Sequence, residues 1–89
     1  MKTILVVTKD VITGECTTSP NMYRNEADAK RAWGNAIAEL SRDPKTNVPY
    51  KDFTLHKVAD FDTESLEITP CNKYLAGAGE FIDYSKKGE

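Results

Sequence analysis

The chain has 89 residues, 39% of them hydrophobic, which is enough for one small core and predicts a single domain. Its 12 Lys and Arg against 14 Asp and Glu give a formal net charge of −2, which excludes the overall basic field of a histone-like protein. Two cysteines, Cys16 and Cys71, are too few for a disulfide scaffold and lack the Cys-x-x-Cys spacing of a zinc ribbon. The longest apolar run, Ile4–Val7, is too short to span a membrane, so we expect a soluble intracellular protein.

The N-terminal segment predicts a β-hairpin. The β-branched run Thr3–Thr8 is typical of a strand at the centre of a sheet or covered on both sides. Gly14 closes the predicted loop, and Glu15–Thr18 is the predicted returning strand. Pro20 ends this strand because proline cannot donate to a β-ladder, so we expect it at a sheet edge.

A helix is predicted over Glu26–Ser41. Asn25 is suited to cap its first turn, and Asp43-Pro44 ends it because the residue before proline is disfavoured in the α region. Gly34 costs about 1 kcal/mol relative to alanine inside a helix, so it either permits a close contact or is merely tolerated. The apolar positions that form one stripe are Ala29, Ala32, Trp33, Ala36, Ile37 and Leu40.

The rest of the chain predicts two more strands. Phe53–Phe61 is strand-like, with a bulge near Lys57 where the apolar positions change face. Leu66–Thr69 is the predicted fourth strand, ended by Pro70. The order β-β-α-β-β predicts an α+β domain, a mainly antiparallel sheet with one amphipathic helix packed across it.

The predicted domain covers residues 1–70. Residues 71–89 contain three glycines and few periodic apolar positions, so we expect a C-terminal segment that is loosely ordered or docked on the domain through Phe81 and Ile82.

Catalytic and metal-binding patterns are missing from the sequence. His56 has no Cys or His partner at ligand spacing, so we interpret it as an exposed or hydrogen-bonded strand histidine. Asp60, Asp62 and Glu64 lack the glycine of a calcium loop and predict a polar turn. We interpret both cysteines as buried or incidental thiols. We therefore expect no enzyme activity, no cofactor and no metal.

Aromatic and basic residues are close in sequence at each of the four tyrosines. The pairs are Tyr23 with Arg24, Tyr50 with Lys51, Tyr74 with Lys73, and Tyr84 with Lys86. Proteins bind single-stranded nucleic acid with aromatic rings that stack on the bases and with nearby cations that contact the phosphates. Tyrosines next to charged residues are also common at the rim of a small core, so both interpretations stay open. The candidate nucleic-acid-binding residues are Tyr23, Arg24, Lys30, Arg31, Tyr50, Lys51, Lys73 and Tyr74.

In the order and spacing of several short motifs, the chain resembles the small nonstructural protein of gokushovirus-type microviruses. These are phages with circular single-stranded DNA. The resemblance covers roughly residues 10–65. It is carried by Gly14, Pro20, Asn25-Glu26-Ala27-Asp28-Ala29, Asp43-Pro44, Pro49, Asp52-Phe53-Thr54-Leu55 and Phe61-Asp62. The chain departs from the family pattern at Val11-Ile12, at His56 and in the turn Asp62–Ser65, which has no glycine.

This resemblance implies a protein of the host cell cytoplasm that is absent from the virion and binds DNA during single-stranded genome synthesis or the switch from replication to packaging. It implies no catalytic residues. The expected partners are single-stranded DNA and phage replication or packaging proteins, with a homodimer left open and no membrane. The alternative is a non-catalytic interaction module that binds the phage replication initiator, a procapsid component or a host replication factor through a sheet edge or helix face.

Overall fold

The computed structural model describes residues 1–17 and 20–81, which form one four-stranded sheet and one α-helix. The elements are β1 (Lys2–Asp10), β2 (Asn21–Tyr23), α1 (Glu26–Arg42), β3 (Phe53–Asp62) and β4 (Ile68–Gly77), with 3-10 helices at Tyr50–Asp52 and Ala78–Glu80. The strand order is β2-β1-β3-β4, and all neighbours are antiparallel. The predicted α+β class and the predicted order of elements are confirmed.

The strand predicted over Thr3–Thr8 is confirmed as β1, which extends slightly beyond those residues at both ends. It lies between β2 and β3, as its unbroken apolar run indicates. Because side chains alternate along a strand, Ile4 and Val6 join the core beneath the helix, whereas Val7 lies on the opposite face. β1 is therefore the strand on which both faces of the sheet are built.

The predicted second strand, Glu15–Thr18, is wrong in position. Cys16 forms only an isolated bridge with Lys9, and the edge strand β2 follows Pro20 instead of preceding it. Glu15 and Cys16 are exposed and bury no apolar side chain, whereas Tyr23 of β2 packs against the core. Thr18 lies outside the described residues. Burial of Tyr23 thus decides which segment pairs with β1.

The predicted helix is confirmed with both of its ends. The Asn25 side chain accepts a hydrogen bond of 2.8 Å from the backbone N–H of Asp28, which satisfies one of the free donors of the first turn. The helix ends at Arg42, one residue later than predicted, and Asp43 is its C-terminal cap.

The apolar stripe of α1 is narrower than predicted. Ala29, Trp33 and Ile37 are buried against the sheet and Leu40 is partly buried, but Ala32 and Ala36 are exposed. The two alanines lie at the flank of the contact, where they line a shallow groove beside β2. Trp33 is the anchor, because its indole N–H donates a hydrogen bond of 2.9 Å to the Thr8 hydroxyl of β1.

Gly34 permits a close contact, which decides between its two predicted roles. A Cβ atom at this position would lie 2.4 Å from Cδ1 of Phe81. The Phe81 ring also packs edge-to-face on Trp33, with ring centroids 5.7 Å apart. The residue that docks the C-terminal segment is therefore Phe81, as predicted, while Ile82 lies outside the described residues.

The third strand is confirmed as β3, and the predicted bulge is present as a register shift between Lys57 and Ala59 in its pairing with β4. The predicted fourth strand is too short. Leu66 belongs to the turn, with φ of 66°, and β4 continues through Pro70 to Gly77. Pro70 does not end the strand because β4 is at the sheet edge, where a missing N–H need not break a ladder.

Residues 71–81 are ordered parts of the fold, which corrects the expectation of a loose segment for this stretch. Leu75, Ala76 and Ala78 are buried in the core. The predicted domain boundary at residue 70 thus falls inside β4.

Ending the chain after Thr69 should abolish cooperative unfolding. The truncation removes most of β4 and with it Leu75, Ala76 and Ala78, so the inner strand β3 loses its neighbour and the core loses one wall. Urea denaturation followed by Trp33 fluorescence and by circular dichroism tests this. A truncated chain with one sharp transition at the full-length midpoint would contradict it.

Gly34→Ala should destabilise the protein by about 1 kcal/mol, because overpacking against Phe81 outweighs the gain in helix propensity. In a Phe81→Ala background the same substitution should stabilise by about 0.5–1 kcal/mol, since the propensity gain is then unopposed. The free energies of unfolding of the wild type, the two single variants and the double variant give the coupling energy between positions 34 and 81. Equal effects of Gly34→Ala in both backgrounds would show that the contact has no energetic role.

Candidate nucleic-acid interface

The sheet face opposite α1 carries side chains from all four strands. Residues paired directly across two strands share a face, so the register assigns each side chain to one side of the sheet. Within residues 1–17 and 20–81, no helix packs on this side, and we call it the open face. It includes Thr3, Leu5, Val7, Lys9, Met22, Thr54, His56, Val58, Ala59, Phe61, Ile68, Pro70 and Tyr74.

Two rings of the open face contact each other. His56 of β3 and Tyr74 of β4 are paired across the strands, with ring centroids 5.7 Å apart and planes inclined by 77°. Nε2 of His56 lies 2.7 Å from the Thr54 hydroxyl on the same strand. The Tyr74 hydroxyl donates a 3.3 Å hydrogen bond to Glu80, and the ring remains 56% exposed. The pair is thus held from both sides and still presents aromatic surface to solvent.

A groove of about 460 Å³ runs along the open face beside these rings. Among the described residues, its lining side chains include a cation and an imidazole but no carboxylate. The lining residues are Val7, Lys9, Gly14, Cys16, His56, Val58, Cys71 and Asn72. In a chain with more acidic than basic residues, this composition makes the groove a local environment suited to anions.

Burial, and then the positive charge of Lys9, lower the pKa of His56 below its ordinary value. His56 is therefore neutral at pH 7 in the free protein. The pKa of Tyr74 is raised, mainly by burial and further by the neighbouring Glu80 carboxylate, so its hydroxyl stays protonated and available as a donor.

The helix side of the sheet has a different electrostatic character. Glu26 of α1 lies 3.0 Å from Nζ of Lys73 and 3.6 Å from Nζ of Lys57, and Lys57 also pairs with Asp60 at 2.8 Å. The hydrogen bond from Lys73 lowers the pKa of Glu26, and the hydrogen bond with Asp60 raises the pKa of Lys57. Charges on this side are thus largely compensated by partners within the fold.

The predicted nucleic-acid-binding residues do not share one surface. Tyr74 lies on the open face, while Tyr23 and Tyr50 are partly buried against the core. Arg24 pairs with Asp28 at 2.9 Å, and Lys73 pairs with Glu26. The remaining predicted residues, Lys30, Arg31 and Lys51, are exposed on α1 and on the 3-10 helix that precedes β3. Tyr84 and Lys86 lie outside the described residues.

Sequence reasoning missed Lys9, His56 and Phe61 as members of a shared surface. His56 is hydrogen-bonded within its strand, as predicted, but the prediction did not extend to its neighbours on the face. The available signal was the alternation along β3, in which Thr54 and His56 lie on the side opposite Leu55.

Both cysteines are exposed, which excludes the first part of the interpretation as buried or incidental thiols and leaves the second. Cys71 donates a 3.6 Å hydrogen bond to the Lys57 carbonyl oxygen. In the part of the chain that the structure describes, no three His, Cys, Asp or Glu side chains are placed to hold a metal ion. In the same part, α1 and the 3-10 helices lack the length and hydropathy needed to cross a membrane.

Comparison with protein families decides the origin of the chain. A family profile described as "Phage ORF5 protein" matches residues 3–81, which include every strand and helix described above except the first residue of β1. The chain belongs to this phage protein family. Neither the curated proteins nor the solved structures that were compared give a match. Membership of the Phage ORF5 family agrees with the resemblance to a small phage protein.

Proposed function

We propose that this phage protein is a non-catalytic accessory protein that binds single-stranded DNA on its open face. In this proposal it acts in the host cell cytoplasm and not in the virion, during viral single-stranded DNA synthesis or the switch from replication to packaging. Phage replication or packaging proteins are its further partners.

The composition of the open face carries the proposal. Unpaired bases stack on exposed aromatic rings, and their phosphates require nearby cations. His56, Tyr74 and Phe61 supply rings on adjacent strands, and Lys9 supplies a cation beside the groove. A sheet whose rings stack on bases while a helix covers its other side is a general solution for binding single strands.

The acidic net charge is compatible with this function because the charges are unevenly placed. Glu26 and Asp60 are paired with lysines on the helix side of the sheet. Asp62 at the end of β3 and Glu64 in the turn that follows both pair with the N-terminal ammonium of Met1. Within residues 1–17 and 20–81, the groove beside Lys9 is lined by no carboxylate, so a phosphate there meets a locally favourable field.

A second candidate function, a protein-interaction module, is favoured by the apolar part of the open face. Met22 and Ile68 lie at its two sides and are 55% and 58% exposed, with the partly exposed Leu5 and Val58 and the buried Val7 between them. Exposed apolar side chains grouped on one face are typical of protein contacts. The partner would be the phage replication initiator, a procapsid component or a host replication factor.

Binding of a fluorescent oligothymidylate, followed by anisotropy, tests the proposed function. Tyr74→Ala should weaken binding by about 1–3 kcal/mol through lost stacking, with the salt dependence unchanged. Tyr74→Phe keeps the ring and should retain the affinity. Lys9→Gln should make the slope of log affinity against log salt less steep by about 0.7, the value for one phosphate contact with a single strand.

Lys2→Gln is the matched control for Lys9→Gln, because Lys2 is at the other end of the same strand and beside Asp60, Asp62 and Glu67. It should leave the salt slope unchanged. If low-salt anisotropy is unaffected by micromolar protein, the DNA-binding proposal fails. Capture of the purified phage initiator by the wild type but not by a Met22→Asp variant would then support the interaction module.

A further inference from the structure

The groove on the open face brings together groups that bind tetrahedral anions. Lys9 from β1 and His56 from β3 both line it, together with the Asn72 amide. Two potential cations and a neutral amide match the donors that phosphate groups need, and none of the described lining residues is a carboxylate. Lysine and histidine side chains that share one groove repel each other when both are charged, so an anion between them would relieve this repulsion.

Hydrogen bonding indicates which ring nitrogen of His56 is free to bind an anion. The Thr54 hydroxyl donates a 3.4 Å hydrogen bond to the Lys9 carbonyl oxygen, so it can accept from Nε2–H of His56 at 2.7 Å. Neutral His56 then has its lone pair on Nδ1. Protonation at Nδ1 gives the ring a second donor and a positive charge without breaking the contact with Thr54.

Titratable and charged side chains approach His56 from the strands on both sides of it. Lys9 comes from β1, and Cys16 is bridged to it. Tyr74 and Cys71 come from β4, and Glu80 is bonded to the far end of the Tyr74 ring at its hydroxyl. Lys9 is therefore the cation that opposes protonation of His56, and Glu80 is a carboxylate held by another partner.

We infer that the groove between Lys9 and His56 is a binding site for one phosphate group, either a phosphodiester of DNA or a free phosphate. The inference takes its ligand class from the proposed function, while the site itself rests on the lining of the groove. A phosphate bound there interacts more favourably with protonated than with neutral His56. By linkage, binding raises the pKa of His56, and affinity rises as the pH falls through the titration of this residue.

The chain contains one histidine, so a single Cε1–H proton resonance reports the titration of His56. The titration is recorded by NMR in sodium chloride and in sodium phosphate at equal ionic strength, because salt alone screens the repulsion from Lys9. Phosphate should raise the pKa of His56 by about 0.5–1 unit above the chloride value. A third titration, the third arm of the experiment, is recorded with unlabelled oligothymidylate at the same ionic strength.

Lys9→Gln should raise the pKa of His56 in chloride, since the repelling charge is gone, and should abolish most of the further increase caused by phosphate. Lys2→Gln, with the same loss of charge at the other end of β1, should behave as the wild type. Urea midpoints of both variants verify that they are folded. If phosphate or oligothymidylate raises the pKa of His56 equally in Lys9→Gln and in the wild type, the inference is overturned.

The arms separate this inference from the proposed function. A phosphodiester site is supported if the pKa of His56 rises with both phosphate and oligothymidylate. It is also supported if this pKa rises with oligothymidylate alone. An increase with phosphate alone supports a site for free phosphate and counts against DNA binding. If neither anion moves the titration of His56, the inference is wrong, and anisotropy decides separately whether DNA binds elsewhere.

Discussion

One helix has to cover a four-stranded sheet, and this constraint shapes the rest of the structure. A helix is about 10 Å wide, whereas four strands spaced about 4.8 Å apart need more cover than it can give. The helix is fixed over the middle of the sheet by Trp33, which packs on the core and bonds to Thr8 of β1. The margins of the sheet and its opposite face are therefore left uncovered by α1 and need other stabilising contacts.

Ion pairs lie at the margin of the helix, whereas in the described part of the chain no helix covers the opposite face. Glu26 joins α1 to β3 and β4 through Lys57 and Lys73, so charges that would otherwise be free for ligands are engaged within the fold. On the open face, Lys9 is the one lysine among the described residues that line the groove, and it shares that lining with His56. The asymmetry of one helix on one sheet thus becomes an asymmetry of electrostatic character.

The sequence predicts the elements whose signals are local and leaves out those decided by tertiary contacts. The cap at Asn25 and the apolar run of β1 are local, and both elements are where they were expected. The edge strands are different, since each is half solvated and carries a proline at or near its paired residues. Only burial of Tyr23 and Leu75 determines where these strands lie.

The candidate site was harder to predict for a geometric reason. Adjacent residues in a strand point to opposite faces, so an aromatic residue next to a basic residue in sequence is separated from it in space. Lys73 contacts Glu26 on the helix side, and Tyr74 contacts His56 on the other. Residues that do meet, such as Lys9, His56 and Tyr74, come from three strands and share no sequence motif.

The contact between Phe81 and Gly34 also bears on how the protein is made. β1 can pair with its inner partner β3 only once Phe53–Asp62 has been synthesised, and the ring that covers Trp33 comes later still, at Phe81. The helix can form earlier, but its tryptophan stays incompletely covered until then. A nascent fragment that ends before Phe81 therefore exposes apolar surface that the complete fold covers.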